Sequence, residues 1–257
     1  MVALAATLIA TSRADENALL SLSDLSSVIA NEDALILGGH MVAILQGCFP
    51  TGSGTRRTTD SDAGLSTQVA ASGDIVKRLR ALGYDNPDTN NRFLLGKDPE
   101  QRVIDLLVPA PTQRFESQEH GGGAFDAVPG LHLALSGVGI AVEVRAILLD
   151  GSELPVPVRV PTVEAALVVK ALAHAGRRAV KDIEDVHSLL EIANSYDRVE
   201  IGGWKLDAEP LTGARLDAGR ALNALADGAR SNPAVGEARV TAASLALLVR
   251  KWVARTP

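Results

Sequence analysis

The chain has a single cysteine, few aromatic residues and no apolar run long enough to cross a bilayer. Only 3% of its 257 residues are aromatic, and Cys48 has no second cysteine with which to form an internal disulfide. Chains without disulfides are typical of a reducing compartment, and a membrane-spanning helix needs about 20 consecutive apolar residues. We therefore expect a cytoplasmic protein without a membrane segment. The apolar residues 1–10 lack the basic residues that precede a signal-peptide core. For them we expect a first helix or a misassigned start.

The net charge is moderate and negative, at −6. This value argues against a protein that coats nucleic acid over its whole surface. It leaves room for a local basic patch, because binding depends on where charges lie rather than on their sum.

The spacing of apolar residues changes near residue 160. Before that point, short apolar segments alternate with helical ones, and the spacing predicts strands at residues 34–37, 92–95, 102–108, 131–135, 140–148 and 154–160. After it, the spacing is helical, and predicts helices at residues 162–175, 180–195, 214–229 and 241–254. We therefore predict an α+β fold, with a sheet domain at residues 1–160 and a helical domain at residues 161–257.

Three acidic residues carry the strongest functional signal. Asp60 and Asp62 are two residues apart, so an extended strand would place both on one face. Asp105 interrupts the apolar run 103–108, where a carboxylate is costly to bury without compensation. Three converging carboxylates would repel one another unless a divalent cation lay between them. The pattern predicts a site with two Mg²⁺ ions for nucleotidyl transfer. A polar turn at Asp60-Ser61-Asp62, and an Asp105 bonded to backbone amides or an arginine, remain the alternatives.

Other residues could bind phosphate. Gly38-Gly39 lies between a predicted strand and an apolar helix, where backbone N–H groups can face a phosphate. Lys170 lies among apolar residues of a predicted helix and either binds phosphate or extends its amine to solvent. An ordinary turn and ordinary surface charge are the competing explanations. Further candidates are the basic residues Arg56, Arg57, Lys77, Arg78 and Arg80.

Several of these segments resemble the AbiEii/MenT-type nucleotidyltransferase toxins. Ile36-Leu37-Gly38-Gly39 and Arg56-Arg57-Thr58-Thr59-Asp60-Ser61-Asp62 look like the opening of that family, and Val103-Ile104-Asp105 looks like its third acid. Lys170, Arg177 and Asp182 are similar to its helical signature of a lysine, an arginine and an acid. The resemblance covers roughly residues 34–190. The chain departs from it at His40, where Thr or Ser is more frequent, and at Ser61, where a bulky apolar residue is common.

The resemblance implies a polymerase-β-like nucleotidyltransferase sheet domain followed by a helical domain. It implies that the acid pair binds metal and a nucleoside triphosphate, that Thr58 positions the nucleotide, that Lys170 holds phosphates and that Asp182 completes the site. It further implies a toxin that transfers a nucleotide to RNA, such as a tRNA 3′ end, and that is paired with a cognate antitoxin protein.

Two other functions suit the same residues. A small-molecule nucleotidyltransferase of the aminoglycoside-modifying kind would share the three acids. A catalytically inactive scaffold that binds an antitoxin or RNA would have the nucleotidyltransferase fold without the activity.

Overall fold

The computed structural model describes residues 4–52, 54 and 57–256 of the chain. Its strands are β1 (Leu4–Ile9), β2 (Ala34–Ile36), β3 (Ser61–Leu65), β4 (Arg92–Leu95), β5 (Arg102–Pro109), β6 (Glu116–His120), β7 (Gly123–Val128), β8 (Ile140–Ile147) and β9 (Glu153–Val160). Its helices are α1 (Arg13–Ile29), α2 (Gly38–Cys48), α3 (Thr67–Ser72), α4 (Asp74–Ala81), α5 (Leu131–Ser136), α6 (Val163–Arg177), α7 (Val180–Ser195), α8 (Gly213–Gly228), α9 (Pro233–Glu237) and α10 (Ala242–Trp252).

Two sheets organise the first part of the chain. The larger has the order β2-β3-β5-β7-β6, with β4 also paired to β5, and its central strands β3, β5 and β7 run parallel. The smaller has the order β1-β8-β9. One face of the central strands packs into the core, since Ala63, Ile104 and Leu106, which share that face, are completely buried.

The four long helices after residue 160, which are α6, α7, α8 and α10, lie where the sequence predicts them. Thr162 caps α6 by accepting a hydrogen bond from the Ala165 amide, the usual role of a Thr at this position. Helix α7 coincides with the predicted segment. The α+β class, with sheets followed by helices, is confirmed, and the division into two domains near residue 160 stays a prediction. Within the described residues, none of the helices has the length and apolar character that crossing a membrane requires.

Two predicted elements were wrong. Residues 4–9 form a strand rather than a first helix, because they pair with β8, which lies far away in sequence. A short apolar run does not by itself distinguish strand from helix. Residues 131–136 form helix α5 rather than a strand. Leu131 and Ala134 are buried, and their spacing of three places both on one face of a helix.

Candidate active site

The larger sheet brings four carboxylates to one face. Asp62 on β3 is in register with Asp105 on β5, and Asp60 precedes Asp62 by two residues. Asp126 on β7 is in register with Leu107, two residues beyond Asp105. Because registered neighbours and alternate residues of a strand share a face, Asp62, Asp105 and Asp126 point the same way, and Asp60, directly before β3, lines the same cavity. They line one cavity of about 320 Å³, so the structure brings the three predicted acids together and adds Asp126.

Helix α2 begins directly above Asp62. Gly38 has a φ of +63°, and a Cβ at this position would lie 1.7 Å from Asp62 Oδ2. Only glycine therefore allows the carboxylate to approach the first turn. Gly38 and Gly39 both line the cavity, and the preceding Leu37 has no polar side chain to cap the helix. The two glycines thus begin the helix rather than precede it, and its N-terminal amides can bind an anion.

Asp60 and Asp62 differ in their protonation. Burial, followed by the charges of Asp60 and Asp105, raises the pKa of Asp62 to about 7. Burial also acts to raise the pKa of Asp60, but a hydrogen bond from Thr58 Oγ1 to Asp60 Oδ1 at 2.6 Å and the charges of Lys181 and Arg92 outweigh it and lower that pKa. Negative charge is therefore crowded at this pair, and a cation beside it would allow both carboxylates to ionise.

Asp105 is held by an arginine. Arg92 donates from Nε to Asp105 Oδ1 at 2.9 Å and from Nη2 to Asp105 Oδ2 at 2.7 Å. Its Nη2 also lies 3.8 Å from Asp60 Oδ2. This pairing is one of the alternatives that the sequence left open for Asp105. Over the described ranges, no group of three or more His, Cys, Asp or Glu side chains is arranged to hold a metal ion. The metal role of Asp105 stays a prediction.

Helices α6 and α7 supply the basic wall of the cavity through Lys170, Arg177 and Lys181. Lys170 Nζ lies 2.7 Å from Asp185 Oδ2, and both side chains are buried. Arg177 donates from Nε and Nη2 to the buried Asp182, both at 2.7 Å. Asp182 therefore lies behind the cavity and orients Arg177, which lines it.

Other predicted phosphate contacts lie elsewhere. Arg57 binds Asp15 at 2.6 Å and lines a neighbouring cavity of about 210 Å³, with Thr58 at the border of both cavities. Arg56 lies outside the described residues. The basic residues of α4 do not line the carboxylate cavity: Lys77 pairs with Asp74, Arg78 with Glu32, and Arg80 lines a third cavity.

Sequence reasoning missed Asp126 and Arg92, and also Asn90, Asn91 and Lys181, which line the same cavity. Asp126 lies between the buried Phe125 and Ala127, the same signal of an acid in an apolar strand that identified Asp105. Arg92 begins a predicted hairpin strand, and nothing in its local sequence indicates that it faces Asp105. Its register with Asp105 appears only in the folded sheet.

Comparisons with known proteins leave the family open. No family model matches the sequence, and the search of curated proteins finds no match. Among solved structures, the chain is similar to the antibiotic-resistance factor ANT(2″)-Ia, with 16% identity and a TM-score of 0.37, over 71% of this chain and 86% of that chain. A likeness of this extent carries no argument about activity, so the function has to be inferred from the residues of the cavity.

Proposed function

We propose that this protein is a metal-dependent nucleotidyltransferase that moves a nucleoside monophosphate from a nucleoside triphosphate to an RNA acceptor. The observation that carries the proposal is the position of Asp62. It lies beside Asp105, two residues after Asp60, and beneath the N-terminus of helix α2. Phosphoryl and nucleotidyl transfer need carboxylates that hold a cation, next to positive groups that hold phosphates. Both kinds of group face this cavity.

The triphosphate side of the cavity is formed by the start of α2 and by the basic wall. Amides at Gly38 and Gly39 offer hydrogen-bond donors to phosphate oxygens. Arg177 is fixed by Asp182, so its planar guanidinium is already oriented for an anion. Lys181 adds a flexible positive charge from the next helix. These groups would hold the triphosphate and stabilise the departing pyrophosphate.

Asp60 and Asp62 suit a divalent cation. Both are carboxylates, the donors that Mg²⁺ prefers, and the pKa of Asp62, raised by burial and then by the charges of Asp60 and Asp105, would fall beside a bound cation. When bound, Mg²⁺ supplies electrostatic stabilisation of the phosphate oxygens. Asp105, oriented by Arg92, is the candidate to accept the proton of the attacking hydroxyl.

The test is transfer of label to RNA. The purified protein is incubated with total RNA, Mg²⁺ and each of the four labelled triphosphates, and labelled RNA is the expected product. Asp60→Ala should abolish the transfer while the melting temperature stays near that of the unchanged protein. Asp150→Ala serves as the matched control, because Asp150 lies in the exposed turn between β8 and β9. Undiminished transfer by Asp60→Ala would refute the proposal.

The resemblance extends the proposal to a toxin with a cognate antitoxin. Induced expression of the chain in bacteria should then slow growth, and Asp60→Ala should not. Co-expression of a protein encoded by the neighbouring gene should restore growth. Normal growth on induction of an active enzyme would contradict the toxin role and leave the transfer reaction standing.

A small-molecule acceptor is the second candidate, and Asp126 favours it. This fourth carboxylate of the cavity could bind a polycation such as an aminoglycoside. Label that appears on an aminoglycoside and never on RNA would select this alternative. If the protein is instead an inactive scaffold, calorimetric titration of nucleotide into the protein should give no metal-dependent heat.

A further inference from the structure

One phenylalanine of this chain is exposed. Three of its four phenylalanines, at positions 49, 93 and 125, are at most 4% exposed, whereas Phe115 is 40% exposed. An exposed aromatic ring has no role in the core, and it costs free energy to keep apolar surface in water. Such a ring is a candidate contact for a ligand with an aromatic face of its own.

Phe115 contacts helix α6, which lines the carboxylate cavity, and it directly precedes strand β6, which pairs with β7. A Cβ added at Gly176 of helix α6 would lie 2.8 Å from the Phe115 ring, so the ring contacts the helix directly before Arg177, which lines the cavity. Two residues after Phe115, Ser117 is in register with Asp126, which also lines the cavity. The ring therefore contacts the helix of the basic wall, and the strand that follows it in sequence pairs with the strand that carries the fourth carboxylate.

The loop that presents this ring is held in place. Gln113 Nε2 donates to Asp217 Oδ2 of helix α8 at 2.6 Å, and the Arg114 amide donates to Thr112 Oγ1 at 3.2 Å. The Gln113 bond and the contact at Gly176 connect the loop to helices α8 and α6, and the Arg114 bond lies within the loop. A ring that is already positioned loses little conformational entropy when a ligand stacks on it.

Three arginines are close in sequence to Phe115 or to the glycine that it contacts. Arg114 precedes it in sequence, and Arg177 and Arg178 follow its contact at Gly176; all three are exposed. Arg177 donates from Nε and Nη2 to Asp182, so its third guanidinium nitrogen, Nη1, does not take part in that ion pair. Glu116 is the acidic neighbour. In a chain of net charge −6, this local excess of arginine beside an exposed ring is the combination that single-stranded nucleic acids bind.

We propose that Phe115 is a stacking platform for an unpaired base of the RNA acceptor, with the neighbouring arginines contacting its phosphates. The inference rests on the proposed function and specifies its acceptor: a single-stranded end rather than a duplex. Bases of a duplex are stacked on each other and present no free face, whereas the bases of a single strand can stack on an aromatic side chain. A polycationic acceptor would be repelled by the arginines.

The test separates stacking from simple apolar contact. The probe is a single-stranded 12-nucleotide RNA with a 5′ fluorophore, and its affinity is measured by fluorescence anisotropy without nucleotide. Phe115→Leu keeps an apolar side chain against Gly176 and removes the aromatic face, so the affinity should fall about tenfold, within the range for one stacked base. Phe115→Tyr keeps the aromatic face and should stay within about twofold of the unchanged protein. Val199→Ala alters another exposed apolar residue and should change nothing.

Four results would overturn the proposal: unchanged affinity in Phe115→Leu, an equal loss in Phe115→Tyr, equally tight binding of a blunt RNA duplex, or binding of an aminoglycoside in place of RNA. Calorimetric titration of Mg²⁺ and triphosphate tests the proposed function separately. If the unchanged protein bound no nucleotide, the proposed function would fail. If nucleotide bound normally and Phe115→Leu kept full RNA affinity, only the stacking platform would fail.

Discussion

Gly38→Ala should disrupt both the stability of the fold and the position of Asp62. A left-handed backbone costs a residue with a Cβ about 1–2 kcal/mol. The new methyl would lie 1.7 Å from Asp62 Oδ2 and 2.5 Å from its Cγ, so the carboxylate must leave its place. An off-rotamer side chain costs about 0.5–1.5 kcal/mol more. The free energy of unfolding should therefore fall by about 2–3 kcal/mol, which lowers the melting temperature by about 5–10 °C in a chain of this length.

The assay is a double-mutant cycle. Unfolding is followed by circular dichroism for Gly38→Ala, Asp62→Ala and the double variant. In the Asp62→Ala background the carboxylate is absent, so Gly38→Ala should cost only the backbone contribution, and the difference between the two costs is the clash. Nucleotide transfer should be lost in Gly38→Ala. The reasoning is refuted if Gly38→Ala costs the same in both backgrounds, or if its transfer activity is intact.

Three further results are expected. The raised pKa of Asp62 means that the folded state holds a proton that the unfolded state loses. The contribution of Asp62 to stability should therefore fall as the pH rises from about 4 to 7, and urea titrations should show the stability of the unchanged protein falling relative to that of Asp62→Asn over this range. Asp182→Asn should weaken nucleotide binding in calorimetry, since it releases Arg177, and it should add little to Arg177→Gln; additive losses would contradict a role through Arg177. Arg92→Gln should free Asp105 and tighten Mn²⁺ binding, measured by electron paramagnetic resonance, by about tenfold, because the displaced charged hydrogen bonds are worth about 1.5–3 kcal/mol. Unchanged Mn²⁺ affinity would show that Arg92 does not compete for the acid.

Local patterns were enough to predict elements that depend on local spacing. Helix α7 (Val180–Ser195) has the predicted bounds, since its buried face repeats along one continuous segment. Strand β1 (Leu4–Ile9) could not be predicted in the same way, because its conformation depends on pairing with β8. Strand β6 (Glu116–His120) is largely polar, so it lacks the alternation that marks a strand, and its pairing with β7 determines it.

The site was predictable to the extent that each residue is unusual in its own segment. Asp105 stands out because it is charged inside an apolar strand, and the Asp60 and Asp62 pair because its spacing is that of one face. The partner of Asp105 could not be identified from the sequence. Arg92 is an ordinary residue at the start of a strand, and it reaches the acid only because the β4–β5 hairpin sets that register.

The two departures from the resembled toxins, His40 and Ser61, contact each other. Ser61 Oγ lies 3.2 Å from His40 Nδ1 and donates to the Ala18 carbonyl at 3.3 Å. A carbonyl can only accept, so the arrangement that satisfies both contacts directs the hydroxyl proton to Ala18 and has His40 Nδ1 protonated and donating to Ser61. Ser61 lies between Asp60 and Asp62, and because alternate residues of a strand face opposite ways, its side chain points away from the cavity. A bulky apolar residue would fix the strand by packing; here a hydrogen bond connects the start of α2 to strand β3, which carries Asp62 and directly follows Asp60.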